Sequence, residues 1–169
     1  MSMIGQVAGL NVKPKTPGEP GLPKAPVPLL QLTATGAGGD FNRYRTNTLG
    51  GDPDSAVLLL TEDILVDLRA EGWPVEPGEL GENVLLAGIP NAALEPGRQV
   101  RLGAALLEVT RACQPCTELH TLPYVGAAHG PEFVRTLHGR RGWYARVLHE
   151  GDVSLGDEAR VLPLRPPTL

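Results

Sequence analysis

The sequence predicts a mainly β fold, a barrel with a few short helices, on three observations. Short β-favouring runs recur at close intervals, either alternating apolar with polar residues or wholly apolar. Gly (21) and Pro (17) are dispersed between those runs rather than gathered into repeats, so the connections are tight turns. Only two segments carry a helical pattern, and closely spaced strands with so few helices favour closure into a barrel.

Taken in order, Ile4 to Val12 alternates loosely as a first strand. Pro14, Pro17, Gly18, Pro20, Gly21 and Pro23 then form a loop over residues 14–23 that cannot hold regular hydrogen bonding. Val27 to Thr33 is the second strand. Gly36 to Gly39 matches neither standard phosphate-binding fingerprint and reads as a turn. Phe41 to Thr48 follows as an exposed polar loop carrying Arg43, Tyr44 and Arg45.

Ser55 to Leu60 is a compact apolar strand, and Thr61 caps a helix whose first turn holds Glu62 and Asp63, the charge preferred at that end. Ile64, Leu65 and Leu68 give this helix one apolar side, and Gly72 with Pro74 ends it. A turn-rich approach, 77–83, leads into the apolar run Val84 to Ala87. Val100 to Leu102 and Ala105 to Thr110 flank Gly103-Ala104 as a hairpin. Pro131 to His138, closed by Gly139, is a short helix with proline in its tolerated first turn. Trp143 to His149 and Glu158 to Leu164 are two further strands, separated by a turn-rich connection that starts at Glu150-Gly151-Asp152. Pro166 and Pro167 end the fold. No repeat or linker divides the chain, which reads as a single domain over 1–169 with its core at about 4–164.

Aromatic residues are scarce, so Leu, Val and Ala must fill the core, with Trp73, Trp143 and Phe133 as the bulky exceptions. A formal net charge of -4 argues against a general nucleic-acid binder, which usually displays a basic surface that releases counterions from phosphates, and leaves room only for local basic patches. Met1 to Leu10 has no charged segment followed by a long apolar one, and no stretch approaches the roughly 18 apolar residues of a membrane span. A cytoplasmic, reducing location is therefore expected, and two cysteines, too few for a disulfide scaffold, agree with it.

The run Leu106 to Ala112 continues into Cys113-Gln114-Pro115-Cys116, where Pro115 forces the backbone out of regular structure. One face of such a strand packs while its tip stays accessible. A thiolate there is a nucleophile and a soft-metal ligand, and Arg111 is the nearby cation that favours ionisation if the fold brings it close. Three readings stay open from these residues: a small buried hydrophobe, a reactive thiol, or a C-x-x-C pair in redox or zinc chemistry. No βαβ pattern and no second cysteine pair supports the last. His120, His129, His138 and His149 are scattered without metal-ligand spacing, and His120 reads as a surface residue, a partial ligand or a base for Cys116.

The order of motifs resembles the MOSC family, named for the C-terminal domain of molybdenum cofactor sulfurases. Pro23-Lys24-Ala25-Pro26-Val27 is similar to its P-K-x-P-V segment, Gly39-Asp40 to its G-D turn, and Gly50-Gly51 with Ala56-Val57 to its G-G-x-x-x-x-A-V region. Pro77 to Asn83 matches P-G-x-x-G-E-N, and Pro115-Cys116 its P-C. Arg141 to Val147, Gly151 and Gly156-Asp157 resemble R-G-x-Y-A-x-V and G-x-x-x-x-G-D. Each piece alone is weak, but their joint order is specific. Members often carry histidine after G-D and before G-G, where this chain has Asn42, Arg43 and Leu49.

The resemblance implies a MOSC-like β-barrel, with Cys116 as the cysteine that carries the chemistry and ligates metal, and with no counterpart for Cys113. It implies molybdenum cofactor, whose molybdopterin brings an anionic phosphate and a dithiolene. The implied binding residues are Lys24, Arg43 and Arg111 for phosphate or pterin, Asp40 of the G-D turn, and Glu82 and Asn83 for polar pterin edges. The leading expectation is a stand-alone protein that binds molybdenum cofactor or a related sulfur carrier, with Cys116 as metal ligand or persulfide carrier. Alternatives are a molybdenum-dependent reductase of N-hydroxylated compounds and, in another class, a non-catalytic binding module. The chain shows no pyridoxal-phosphate, flavin, haem or iron–sulfur domain, so the expected partner is a cysteine desulfurase or an electron-transfer protein.

Overall fold

The computed structural model describes residues 2–41 and 51–164. Its first strand, β1 (Met3–Val12), outlasts any single partner. It pairs antiparallel with β11 (Glu158–Val161) from Met3 to Gln6. It then pairs with β6 (Val84–Ala87), shifting register between Val7 and Gly9, and at Asn11 and Val12 with β2 (Ala25–Pro26). The remaining barrel strands are β5 (Val57–Thr61), β7 (Gln99–Leu102), β8 (Ala105–Ala112) and β9 (Trp143–His149). Around the ring the order is β11-β7-β8-β9-β5-β6-β1, and the β1–β11 pairing closes seven strands into a barrel.

Helix α1 (Glu62–Ala70) carries the crossover between β5 and β6, which pair in parallel as such a connection requires. A small second sheet joins β3 (Leu29–Thr33) to β4 (Gly36–Ala37) and β10 (Gly151–Ser154).

Strand periodicity sorts the interior. On β5, Val57 and Leu59 point into the barrel with Val84, Leu86, Leu102 and Leu107. Leu60 points the opposite way, into a helical layer with Ile64, Leu65, Leu68 and Leu85. Both faces of β5 are covered, which is why its run is wholly apolar rather than alternating. The barrel interior is aliphatic. The bulky rings gather in the helical layer, where Phe133 of α2 (Gly126–Thr136) meets Trp73 at 4.7 Å and the edge of Tyr124 at 6.0 Å.

Several sequence-based boundaries move. The strand expected from Val27 starts at Leu29, after Pro28, which has no N–H to donate, and a separate two-residue strand, β2, precedes it at Ala25-Pro26. Gly36-Ala37, read as turn, pairs back on Thr33 and Leu32. The connection after His149 contains β10, because Gly151 to Ser154 pair with Leu32 to Leu29. Helix α2 starts at Gly126, so Pro131 lies inside it rather than in its first turn. The last strand stops at Val161, three residues early. Thr61 does precede α1, but its hydroxyl donates to the Asp63 carboxylate instead of capping the backbone. Among the described residues, no helix is long and apolar enough to cross a membrane.

Candidate functional site

Strand β8 ends at Ala112, opposite Trp143 of β9. The Cys113 N–H still reaches the Gly142 carbonyl at 2.9 Å, after which Gln114-Pro115-Cys116 leaves the sheet and enters a 3-10 turn, Thr117–Thr121. Because the two strands run antiparallel, the residues just before β9 face those just after β8. Arg141 is thereby brought to Cys116 across 25 positions of sequence. Its guanidinium donates to Cys116 Sγ at 3.1 Å, to the Gln114 carbonyl at 3.0 Å and to the Leu80 carbonyl at 3.2 Å.

Arg141 is buried. Burial works against its charge, yet the sulfurs of Cys113 and Cys116 and the phenol oxygen of Tyr144 hold it more firmly protonated than usual. The two cysteines differ sharply. Cys113 is enclosed with Leu58 and Tyr144, and burial pushes its thiol up against the pull of Arg141. Cys116 is half-buried, and its free thiol opens on a cavity of about 410 Å³.

Lys24, Arg111 and Arg141 bring cationic groups to the cavity wall, and Glu118 brings a carboxyl. Phe41, Leu58 and Tyr144 supply apolar surface. Arg111, the cation expected beside Cys116, instead lies 5.1 Å over the Tyr144 ring, 3.4 Å from Asp52 and hydrogen-bonded to Ser55. Lys24 forms a 2.7 Å ion pair with Asp40, with side chains 5% and 2% exposed, a geometry that holds only with further hydrogen bonds. Those come from Asn83, whose amide donates to Asp40 Oδ2 at 3.0 Å, and from the Lys13 N–H to Oδ1 at 2.9 Å.

Asn83 also accepts the Leu58 N–H at 3.0 Å and donates to the Asn11 carbonyl at 3.2 Å, tying β5 to β1. Glu82 is fully buried. The Gly78 N–H donates to its Oε2 at 3.0 Å, while Oε1 has no partner among the described residues. Burial pushes its carboxyl up to about 7, against the opposing pull of the Gly78 N–H. Asp40, Glu82 and Asn83 thus stand behind the cavity wall and brace it, while Lys24, Arg111 and Cys116 reach the cavity. Arg43 lies outside the described residues.

Sequence reasoning assigned no role to Arg141 or Glu118. Arg141 opens the quoted R-G-x-Y-A-x-V pattern, which was its available signal; Glu118 had none beyond its nearness to Cys116. His120 packs against the backbone of Gly130 and is absent from the cavity lining. Among the described residues, no cluster of three or more His, Cys, Asp or Glu side chains is arranged to hold a metal.

The same architecture recurs in solved structures. The YUAD protein of Bacillus subtilis superposes with a TM-score of 0.77 at 20% identity, over 95% of this chain and 97% of that one. YiiM of Geobacillus stearothermophilus gives 0.70 at 26% identity, over 94% and 75%. YiiM of Escherichia coli gives 0.66 at 23%, over 95% and 70%. A comparison with curated proteins finds no match. Residues 46–160 match the MOSC domain, a span that includes β5 to β9, the Cys116 loop and Arg141, and on that match the chain belongs to the MOSC domain family.

Proposed function

We propose that this protein binds molybdenum cofactor, or a related sulfur carrier, in the Cys116 cavity and uses Cys116 as a metal ligand or as a persulfide carrier. The observation that carries this reading is the Cys116 sulfur on the wall of a roughly 410 Å³ cavity with the Arg141 guanidinium 3.1 Å away. That volume lies within the range of about 300–1,000 Å³ typical of small-molecule sites. The donor set suits the group as well. A single soft sulfur stands without a competing cluster of hard metal ligands among the described residues, and cationic side chains line the same space.

When bound, the cofactor supplies a dithiolene-held molybdenum with a position open to a soft ligand. The protein supplies the rest. Arg141 fixes the sulfur in place through a charge-assisted hydrogen bond and is itself anchored to two backbone carbonyls. Arg111, held over the Tyr144 ring, offers the remainder of its planar fork to an anionic phosphate. In the sulfur-carrying role, Cys116 attacks the terminal sulfur of a persulfide on a cysteine desulfurase partner. A new S–S bond forms at Cys116, the partner's S–S bond breaks, and the partner leaves as thiolate.

The test is production in a host that makes molybdopterin, with elemental analysis of wild type and Cys116→Ser and mass measurement of the intact chain. Molybdenum lost in the variant, or a one-sulfur mass increment on wild type that reducing agent removes, is expected. Equal molybdenum in both proteins, no increment, and labelling of Cys116 only after denaturation would together overturn the reading.

A further inference from the structure

Cys113 takes no part in the chemistry proposed for the cavity, and it is enclosed, with 3% of its surface exposed. It nevertheless sits against the same groups as Cys116. Its N–H is bonded to the carbonyl of Gly142, the residue after Arg141. Its Sγ lies 3.8 Å from the Gln114 carbonyl oxygen, which accepts from Arg141 Nη1 at 3.0 Å, and that nitrogen also donates to Cys116 Sγ at 3.1 Å. One carbonyl oxygen and one guanidinium nitrogen thus link the two sulfurs, and the charge of Cys116 bears on the Cys113 thiol. Gln114 and Pro115, the residues between them, belong to neither β8 nor the 3-10 turn, so they can fold without breaking a sheet ladder.

We infer that Cys113 is the resolving thiol of Cys116 and closes a Cys113–Cys116 disulfide when a hydroperoxide oxidises Cys116. Exposure assigns the order of events. Cys116 opens on the cavity and meets the reagent, whereas Cys113 is reached only from within the protein. The Cys116 thiolate attacks the terminal oxygen of the hydroperoxide: an S–O bond forms, the O–O bond breaks, and the alkoxide leaves and takes a proton from water. Cys113 then attacks the sulfenic sulfur. An S–S bond forms, the S–O bond breaks, and the oxygen departs with the thiol proton as water, so the two thiols together supply the two electrons that reduce the peroxide. A disulfide holds its Cα atoms within about 7 Å, so the segment folds at Gln114-Pro115 and Cys116 leaves Arg141. In that state the sulfur is neither a metal ligand nor a persulfide acceptor, and it is spared irreversible oxidation to sulfinic acid. The pair closes whether or not the cavity carries a cofactor, so its test stands apart from the molybdenum measurement.

The probe is hydrogen peroxide, added to the purified, reduced chain once reductant has been removed, with dimedone present as a trap for sulfenic acid. Intact mass is read before and after dithiothreitol. Wild type is expected to lose the mass of two hydrogens on the peptide that holds both cysteines, to lose iodoacetamide labelling at Cys116, and to recover both on reduction. Cys113→Ser and Cys113→Ala instead take the dimedone adduct at Cys116 and, without the trap, pass on to sulfinic acid, with melting temperature as the check on folding. Cys116→Ser leaves Cys113 unoxidised at the same peroxide concentration. Three outcomes overturn the inference: wild type trapped by dimedone to the same extent as the Cys113 variants, disulfide found only between chains, or both thiols intact under peroxide that oxidises free cysteine.

Discussion

Cys113 and Cys116 are three positions apart and chemically unlike, and the difference is made by one arginine and one cavity. Arg141→Lys retains the charge but not the fork that reaches two carbonyls and a sulfur together, so the thiol loses its oriented donor. Alkylation of Cys116 at neutral pH is expected to slow by about tenfold in that variant, the equivalent of about 1.4 kcal/mol. An unchanged rate, measured against wild type with an uncharged reagent, would dismiss Arg141 as the group that sets thiol reactivity. Glu82 makes a separate prediction. Its carboxyl sits at about 7 in the fold and at 4.5 when unperturbed, so between those values the native state holds the extra proton. Stability is then fully present below 4.5 and declines as pH rises to about 7. Glu82→Gln should flatten this part of the profile in urea unfolding between pH 4.5 and 8, and a slope equal to that of wild type would contradict the assignment. At this scale the sequence was half legible. Cys116 could be found because Pro115 lies just beyond the end of its strand, whereas Arg141 carried only its place in the R-G-x-Y-A-x-V pattern and nothing local paired it with a residue 25 positions away.

The turns that present these residues depend on backbone that only glycine adopts without strain. Gly142 has φ +92°, and a Cβ there would lie 2.3 Å from the Leu59 carbonyl oxygen. Gly78 has φ +89°, and its Cβ would lie 2.2 Å from the Lys24 carbonyl oxygen. Neither neighbour is a flexible side-chain end, so the main chain itself must give. Gly142→Ala is expected to cost about 2–4 kcal/mol and to slow Cys116 labelling, because it displaces the residue that follows Arg141. Thermal melting with parallel labelling checks both, and a loss of stability with unaltered labelling would separate the turn from the site. Strands such as β5, β6 and β8 were readable because burial imposes their pattern directly. Helix α2 was truncated in the reading because Gly126 and Pro131 are both helix-unfavourable residues, outweighed here by Phe133 and its ring contacts. Strand β10 was hidden because Gly151-Asp152 carries turn chemistry, and only pairing with β3 draws it into a sheet.

For the whole molecule, the aliphatic barrel and the aromatic helical layer share β5 and β6, which send alternate side chains to each. Neither layer can lose its packing without stripping the other of a wall. Leu59→Ala and Leu60→Ala, neighbours that face opposite interiors, should therefore each lower stability by about 2–5 kcal/mol. Unfolding followed through Trp73 in one layer and Trp143 in the other should give the same midpoint. Two resolved midpoints, in variants retaining one tryptophan each, would show that the layers melt apart.

The ring is closed by a strand from each extreme of the sequence, Met3 to Gln6 against Glu158 to Val161. A growing polypeptide consequently has no enclosed interior while it is being made. Until Glu158 to Val161 has been made, the rims of β1 and β7 that it joins stay open hydrogen-bonding borders, and contacts so distant along the chain form slowly. Stopping translation ahead of Glu158 would leave an unsealed sheet prone to stack on its neighbours, so such fragments belong in the pellet of a cell lysate rather than the supernatant.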